Sequence, residues 1–191
     1  AIQWLRDGIN LIQNASQSET LATSVPDNGG VYFVPALTGM GAPYWDQYAR
    51  GAMLGLTRGT TPAHITRATL EGIAFQVYDI LKAMEHDTKR TSPEMRVDGG
   101  AVANNFLMQF QSDICRETVV RPKILETTAL GAAYLAGLAT GYWRDTEELR
   151  QQWSIDQEFT PIDTEEHVNI MLHKWHRAVE RARAWEELGE E

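Results

Sequence analysis

The residues with the clearest chemical potential in this chain form one short stretch, Val97-Asp98-Gly99-Gly100-Ala101-Val102-Ala103-Asn104-Asn105. The pattern is typical of a strand end, a glycine turn and a helix that runs from about Asn104 to Cys115. Glycine has no Cβ, so a ligand can lie directly against the backbone at Gly99 and Gly100. The free N–H groups of a helix N-terminus suit a phosphate or ribose hydroxyls. The stretch therefore suggests nucleotide binding, but a plain turn is the favoured interpretation of these residues alone, because neither G-x-G-x-x-G nor a phosphate loop is present.

Other candidate chemical groups do not assemble into a reaction centre. Asp46 and Asp98 are the loop carboxylates best suited to acid–base work, although Asp98 is also suited to ordering its own glycine turn. No Ser or Cys has a His at the spacing of a catalytic motif, and G-x-S-x-G is absent. His173 and His176 are three residues apart and could share a metal ion, but an exposed helix face is the favoured interpretation. The residues by themselves therefore supply parts of a site and not a complete reaction centre.

Composition excludes several classes of protein. The 191 residues carry a net charge of −9, which argues against nucleic acid because phosphate contacts need a basic surface. No apolar run in the sequence reaches the length of a membrane span. The single cysteine, Cys115, excludes an internal disulfide and favours a reducing compartment, so we expect a cytoplasmic protein. The chain begins without Met and already in a helical pattern, and we expect a C-terminal fragment of a longer protein.

The elements that must position these groups follow from hydrophobic periodicity. An opening helix is predicted from Ile2, Leu5, Ile9 and Ile12, and a weak short helix within residues 14–23. Thr61 and Pro62 are good capping residues for a helix to about Met84, whose apolar stripe is Ile65, Ile73, Val77, Ile80 and Met84. Strands are predicted at residues 31–35, 52–56, 95–98 and 118–120. Further helices are predicted at residues 104–115 and 129–142, the latter suited to close packing by its Ala and Gly, with two more within 146–187 around a Pro161 turn.

The order of these elements, β-β-α-β-α-β-α, predicts a layered α/β domain. The βαβ unit within residues 95–120 should cross over with a right hand, which puts the glycine turn at the carboxyl edge of its strand. Ligands of open α/β sheets bind at that edge. The topology therefore supports a nucleotide site independently of the glycines.

Blocks throughout the chain resemble the FGGY family of carbohydrate kinases, and within it the members that act on glycerol. They are Gln3-Trp4-Leu5-Arg6-Asp7, Phe33-Val34-Pro35-Ala36, Gly41-Ala42-Pro43-Tyr44-Trp45-Asp46, Ala49-Arg50-Gly51, Gly55-Leu56-Thr57-Arg58-Gly59, Arg67-Ala68-Thr69-Leu70-Glu71 and residues 96–113. Residues 51–71 resemble the second motif of that family, and residues 97–105 resemble its adenosine-site turn. The resemblance extends from residue 1 to about residue 187.

The resemblance implies the C-terminal domain of the actin-like, ribonuclease-H-like ATPase fold, with its leading strands before Ala1 and residues 1–191 as a partial domain. In that family, two domains face each other across a cleft that holds ATP–Mg²⁺ and the polyol. By position, Gln3 is similar to a nucleotide-contacting Gln, Gly100 to the glycine against the adenosine, and Asn104 to the Asn that reaches the adenine. From the residues alone, a solvated helix position is the favoured interpretation of Gln3, and a helix N-cap is an equal alternative for Asn104.

The implied activity belongs to a parent protein, phosphorylation of glycerol by ATP to give sn-glycerol 3-phosphate. The resemblance implies that the catalytic Asp, the glycerol contacts and most of the Mg²⁺ contacts lie outside this chain. The chain would supply the ATP/ADP half-site and be inactive alone, within a homo-oligomeric parent. Two alternatives stay open: an FGGY kinase for another sugar or polyol, and a non-catalytic interaction domain.

Overall fold

A computed structural model describes residues 1–186, which fold into helices packed around two small sheets. The elements in chain order are α1 (Ile2–Asp7), α2 (Gln17–Thr23), β1 (Tyr32–Val34), β2 (Ala52–Leu54), α3 (Pro62–Thr88), β3 (Glu94–Arg96), a 3-10 turn (Gly100–Ala103), α4 (Asn105–Cys115), β4 (Thr118–Pro122), α5 (Thr127–Thr140), α6 (Thr146–Arg150), β5 (Ile155–Phe159) and α7 (Glu165–Ala182). None of the helices within residues 1–186 has the length and apolar character needed to cross a membrane.

The strands form two separate sheets. β1 and β2 pair with each other in antiparallel fashion, with Tyr32 opposite Leu54. The second sheet has the order β3-β4-β5, in which β3 is parallel to β4 and β5 is antiparallel to β4. The parallel pairing of β3 and β4 around α4 confirms the predicted βαβ unit. Within the described residues, β3 is an edge strand.

The longest helix, α3, begins as predicted and buries a different face. Thr61 and His64 form a reciprocal capping box at its start, and Pro62 is its first residue. The predicted stripe is wrong as a core face, since Ile80 and Met84 are 41% and 58% exposed. The buried face consists largely of small residues because the helix lies close to β1. A Cβ at Gly72 would collide with the carbonyl oxygen of Phe33, so only glycine permits this approach. The residues buried on this face include Ala63, Thr66, Ala68, Leu70, Gly72, Ala74 and Phe75.

An aromatic cluster joins three helices at the centre of the core. The Phe75 ring of α3 stacks on Trp175 of α7, with 5.1 Å between centroids, and meets Phe110 of α4 edge-on at 5.4 Å. Trp175 is 1% exposed, and its burial fixes α7 against the rest of the fold. At the end of α4, Cys115 is 2% exposed, and burial raises the pKa of its thiol to about 12.

Several predicted boundaries need correction, among them the end of β3, which is Arg96 rather than Asp98. The opening helix ends at Asp7, and the chain turns at Asn10 with φ of +53°, so Ile9 and Ile12 lie beyond the helix. Strand β4 continues through Pro122, because its last residues pair with β5. The two helices expected within 146–187 are α6 and α7, with β5 between them as a strand that the prediction missed. The expected end of the second, residue 187, lies outside the described residues.

Helix α5 is apolar and largely exposed, contrary to the expected close packing. Gly137 is its only buried residue, covered by the indole of Trp143, while Leu135 is 71% exposed. The apolar residues of α5 point in all directions around the helix, so no single face of it can be turned inward. Within residues 1–186, α5 therefore presents an apolar surface to solvent.

Candidate functional site

The glycine turn lies at the carboxyl end of β3 and is held by backbone hydrogen bonds. The N–H of Val97 donates to the carbonyl of Val120 at 3.2 Å, and the N–H of Gly99 donates to the carbonyl of Leu125 at 2.8 Å. Gly99 has φ of +85°, a conformation that favours glycine. The chain then makes one 3-10 turn before α4 begins, so the turn and the helix N-terminus lie side by side as the topology predicts.

Asn104 is the N-cap of α4, and its side chain makes two hydrogen bonds. Its Oδ1 accepts from the N–H of Leu107 at 2.9 Å, which satisfies one of the free donors of the first helical turn. Its Nδ2 donates to Oγ of Ser18 at 3.2 Å, and Ser18 Oγ in turn donates to the carbonyl of Ala15 at 2.6 Å. The orientation of the amide is thereby fixed, and one N–H of Nδ2 has no partner among these groups.

Arg121 connects the glycine turn to strands β4 and β5. This side chain of β4 is 10% exposed, and its Nη1 donates to the carbonyl of Val102 at 3.0 Å and to Oδ1 of Asn105 at 2.9 Å. Its Nε donates to Asp156 of β5 at 2.8 Å. Charge-assisted hydrogen bonds of this kind are stronger than neutral ones, so the buried guanidinium fixes the turn and the start of α4 to two strands.

A cavity of about 640 Å³ opens between the turn, α1 and α2. It lies within the size range of small-molecule and cofactor sites, and its wall is mostly apolar with a polar rim, as is common in such sites. The apolar wall consists of Ile2, Ala15, Leu70, Ile73, Ala101, Ala103 and Leu107. The polar groups around it are Gln3, Arg6, Ser16, Ser18, Glu19 and Asn104. We name this space the turn cavity.

The structure brings all three residues named from the resemblance to this one cavity: Gln3, Gly100 and Asn104. Gln3 is exposed on α1, at the rim, and Asn104 is half-buried. A Cβ at Gly100 would meet no protein atom within 4 Å, so the space beside this glycine is open to a ligand. The proximity of Gln3 and Gly100, which are far apart in the sequence, is a product of the tertiary fold.

Ser18 is a polar lining residue that sequence analysis missed. It is 1% exposed and connects α2 to the N-cap of α4 through Asn104. The only signal for it was the weak helix expected within residues 14–23, in which Ser18 is one of several polar residues. A buried serine cannot be distinguished from an exposed one in so polar a segment.

The two loop carboxylates considered for acid–base chemistry have structural partners instead. Asp98 accepts a hydrogen bond from the hydroxyl of Thr127, so it connects the turn to the start of α5. Asp46 accepts from the backbone N–H groups of Tyr48, Ala49 and Ala184, at 2.8 to 3.0 Å. These bonds, that from Ala184 first, lower the pKa of Asp46. Asp46 therefore joins the loop after β1 to the chain after α7.

A buried carboxylate that sequence analysis also missed lies on α3. Asp79 is 6% exposed and accepts from the hydroxyl of Tyr44 at 2.8 Å and from Nε1 of Trp175 at 2.7 Å. Its other oxygen lies 3.0 Å from Nε2 of His176, and this hydrogen bond is the main cause of a raised His176 pKa. His176 lies at the exposed edge of this cluster, and His173 is exposed as well, so the two lie on an exposed helix face as the favoured interpretation predicted. No group of three or more His, Cys, Asp or Glu side chains in the described part of the chain is arranged to hold a metal ion.

Comparison with known proteins matches residues 1–140 to the C-terminal domain of the FGGY family of carbohydrate kinases. A curated glycerol kinase from Parabacteroides distasonis is 67% identical over 186 residues, which are 97% of this chain and 37% of the relative. The chain thus spans little more than a third of the length of the curated relatives it matches.

Solved structures give the same pattern. A Plasmodium falciparum glycerol kinase with ADP matches with a TM-score of 0.85 and 34% identity, over 98% of this chain and 37% of that protein. A gluconate kinase from Lactobacillus acidophilus matches with a TM-score of 0.74 and 26% identity, over 94% and 36%. The fold is the mixed α/β fold of FGGY kinase C-terminal domains, of the ribonuclease-H-like and actin-like ATPase class, as the resemblance implied.

Proposed function

Because the chain belongs to the FGGY family of carbohydrate kinases, we propose that it forms the adenine-nucleotide half-site of a glycerol kinase. In this proposal, residues 1–191 are a partial C-terminal domain. The parent enzyme transfers a phosphoryl group from ATP to glycerol, giving ADP and sn-glycerol 3-phosphate. The chain alone binds nucleotide and does not catalyse the transfer.

The observation that carries this proposal is the turn cavity, which is lined together by Gln3, Gly100 and Asn104. Its apolar wall suits the faces of a purine base, and its volume of about 640 Å³ accommodates a nucleoside. The absence of a side chain at Gly100 lets a ligand approach the backbone of the turn. The residues present therefore fit the adenosine part of ATP.

We assign different tasks to the polar groups. The second N–H of Asn104 Nδ2 is free to donate a hydrogen bond to a ring nitrogen of the base, while Oδ1 already accepts the N-cap hydrogen bond. The Gln3 amide, at the exposed rim, can both donate and accept, which suits ribose hydroxyls or phosphate oxygens. These groups bind and orient the nucleotide. Positioning of this kind is a large part of catalysis in phosphoryl transfer.

The remaining parts of the reaction are proposed to come from the rest of the kinase. These are the catalytic base, the glycerol contacts and most of the groups that hold Mg²⁺, whose charge neutralises the phosphates. We further propose that the parent enzyme is a cytoplasmic homo-oligomer. The single cysteine of this chain is consistent with a reducing compartment.

A kinase for another sugar is the second candidate, since a gluconate kinase shares the fold. Identity favours glycerol, because it is 67% with a curated glycerol kinase and 26% with the gluconate kinase. An activity assay of the longer protein distinguishes the two candidates. In a glycerol kinase, the release of ADP from ATP should depend on glycerol, and release with gluconate or xylulose in its place would overturn the assignment.

Calorimetric titration of the chain with Mg-ADP tests the half-site. We expect saturable binding that is lost in Gly100→Val, because the new side chain enters open space in the cavity and displaces no protein atom. Asn169→Ala, an exposed change on α7, is the control and should bind as the unsubstituted chain does. Equal binding by Gly100→Val, or no binding by the folded, unsubstituted chain, would contradict the proposal and favour a non-catalytic interaction domain.

A further inference from the structure

Helix α7 carries three cations on one face. Lys174, Arg177 and Arg181 follow each other at spacings of three and four residues, so they project from the same side of the helix. All three are exposed, and within residues 1–186 none forms a salt bridge. Other basic residues of this acidic chain, such as Arg67 and Arg183, are paired with carboxylates.

The three cations line a second cavity, of about 320 Å³, between α7 and the β1–β2 sheet. Its other lining side chains are Tyr32 and Leu54, which lie opposite each other in this sheet, and Ala178 of α7. We name this space the α7 cleft. It shares no lining residue with the turn cavity, so a ligand here does not occupy the proposed nucleotide site.

Two glycines complete the α7 cleft opposite the cations. Gly30 has φ of +79°, and a Cβ built on it would meet no atom within 4 Å, so its backbone is accessible from the cleft side. Gly55 has φ of +83° and packs directly against the carbonyl of Gly30, where any side chain would collide with that oxygen. The cleft therefore combines exposed backbone with long cationic side chains.

The charges of the cleft favour an anionic ligand. Like charges four residues apart on a helix repel each other, as Arg177 and Arg181 do, and an anion between them relieves this repulsion. Nη1 of Arg181 donates to the backbone carbonyl of Arg177 at 2.7 Å, which holds the guanidinium over the helix face. Guanidinium groups bind phosphate through two parallel N–H bonds, and an ammonium group adds a point charge.

We propose that the α7 cleft binds a small molecule with two phosphate groups or a pyrophosphate. Three cations match a ligand with three or four negative charges better than they match a single carboxylate. The volume and the accessible backbone of Gly30 suit a small molecule, whereas a duplex or a membrane surface requires a broad basic surface. The proposal stands independently of the nucleotide half-site, because it rests on other residues.

Titration of the chain with sodium pyrophosphate, followed by two-dimensional amide NMR at constant ionic strength, tests the cleft. We expect saturable one-to-one binding, with the largest shifts at the amides of Gly30 and Gly55. Arg177→Gln with Arg181→Gln should weaken binding by roughly 10-fold for each arginine, the magnitude of a charge-assisted hydrogen bond. Lys89→Gln with Arg90→Gln removes the same charge from an exposed site elsewhere and should leave the affinity unchanged.

Each other outcome overturns the proposal. Equal weakening in both double variants would mean general ionic attraction, and shifts centred on Gly100 would mean binding in the turn cavity. Lys174→Gln, a single change on the exposed face, provides a second variant should the double arginine variant fold poorly. Inorganic phosphate and glycerol 3-phosphate, which carry one phosphate each, should bind more weakly than pyrophosphate, and tighter binding of either would replace the proposed ligand class.

Discussion

In the proposed half-site, Asn104 combines two tasks that the sequence analysis gave as alternatives. Its oxygen caps α4, and its nitrogen is directed by Ser18 so that one N–H remains for a ligand. The oxygen has a second lone pair, so the N-cap bond leaves an acceptor as well as the free N–H of Nδ2. In the proposed half-site, the contact to the base is the donation from that N–H to a ring nitrogen, which adenine and guanine both possess.

Substitutions at Asn104 should separate the two tasks. Asn104→Ala removes the cap and the donor, so we expect a loss of about 1 kcal/mol in the free energy of unfolding together with weaker ADP binding. Asn104→Asp keeps a good cap and removes the donor, so stability should stay close to that of the parent chain while ADP binding is lost. Urea unfolding and calorimetry measure the two effects, and tight ADP binding by the Asp variant would exclude the donor role.

The pair of Asp79 and His176 should make stability depend on pH. The hydrogen bond to Asp79 raises the folded-state pKa of His176 above its usual 6.5, so the folded chain holds this proton more tightly than the unfolded chain. The resulting stabilisation is complete below pH 6.5 and is lost as the pH rises through the raised pKa. We expect the urea midpoint of the parent chain to exceed that of His176→Gln by more at pH 5.5 than at pH 8.5. A constant difference would show that the imidazole charge contributes nothing.

At the scale of elements, two glycines inside helices have opposite surroundings. Gly72 of α3 lies against the carbonyl of Phe33, whereas a Cβ at Gly131 of α5 would meet nothing within 4 Å. Helix propensity alone would favour alanine at both positions. At Gly72, the close contact with β1 outweighs helix propensity, so alanine is expected to lower the free energy of unfolding there.

Alanine at these two positions should therefore give opposite results. Gly131→Ala should raise the free energy of unfolding by about 0.5–1 kcal/mol through helix propensity. Gly72→Ala should lower it by about 1–3 kcal/mol, because α3 must move away from β1. Thermal unfolding by circular dichroism compares the two directly, and stabilisation by both would show that α3 and β1 are not in close contact.

Sequence patterns predicted elements whose signals are local. The start of α3 follows from Thr61 and Pro62, and α4 from its cap and the apolar residues Leu107, Phe110 and Ile114. The buried face of α3 could not be predicted, because it lies close to β1. At such a short distance, the size of a side chain rather than its hydrophobicity determines which residues can be buried. Strand β5 gave no signal, since only Phe159 of its five residues is buried and its pairing with β4 defines it.

The candidate site also has a part that the sequence predicts and a part that it does not. The glycine turn and its helix are contiguous in sequence, so their geometry could be predicted from the residue types. Ser18 and the wall residue Leu70 come from segments distant in the chain, and only packing brings them to the turn. Gln3 was identified through the family resemblance alone, because nothing in its own neighbourhood distinguishes it from a solvated residue.

At the scale of the whole molecule, the described chain leaves apolar and backbone surface uncovered. Helix α5 exposes Leu135, and β3 has an unpaired edge within residues 1–186. Unpaired strand edges and continuous apolar surfaces promote association between copies of a protein. In a longer kinase, additional chain could cover the same surface.

The chain in isolation should therefore self-associate. Light scattering coupled to gel filtration should give a mass that increases with concentration. Leu135→Glu should shift the population toward the monomer, because it places a charge on the apolar helix. Ile162→Glu alters another exposed apolar residue, 75% exposed and far along the chain, and should change little. If the unsubstituted chain stays monomeric at every concentration, this prediction is refuted.

The single cysteine, Cys115, allows the stabilities of the variants to be compared without an engineered probe. The thiolate is the form that attacks alkylating reagents, and Cys115 is 2% exposed with its pKa raised to about 12, so both burial and protonation protect the native thiol. Each opening that separates α4 from the sheet returns the thiol to solvent and to its ordinary pKa. The rate of iodoacetamide labelling in native buffer thus reports the free energy of that opening. One labelling event per molecule, read by mass spectrometry, would rank every variant at protein concentrations too low for association.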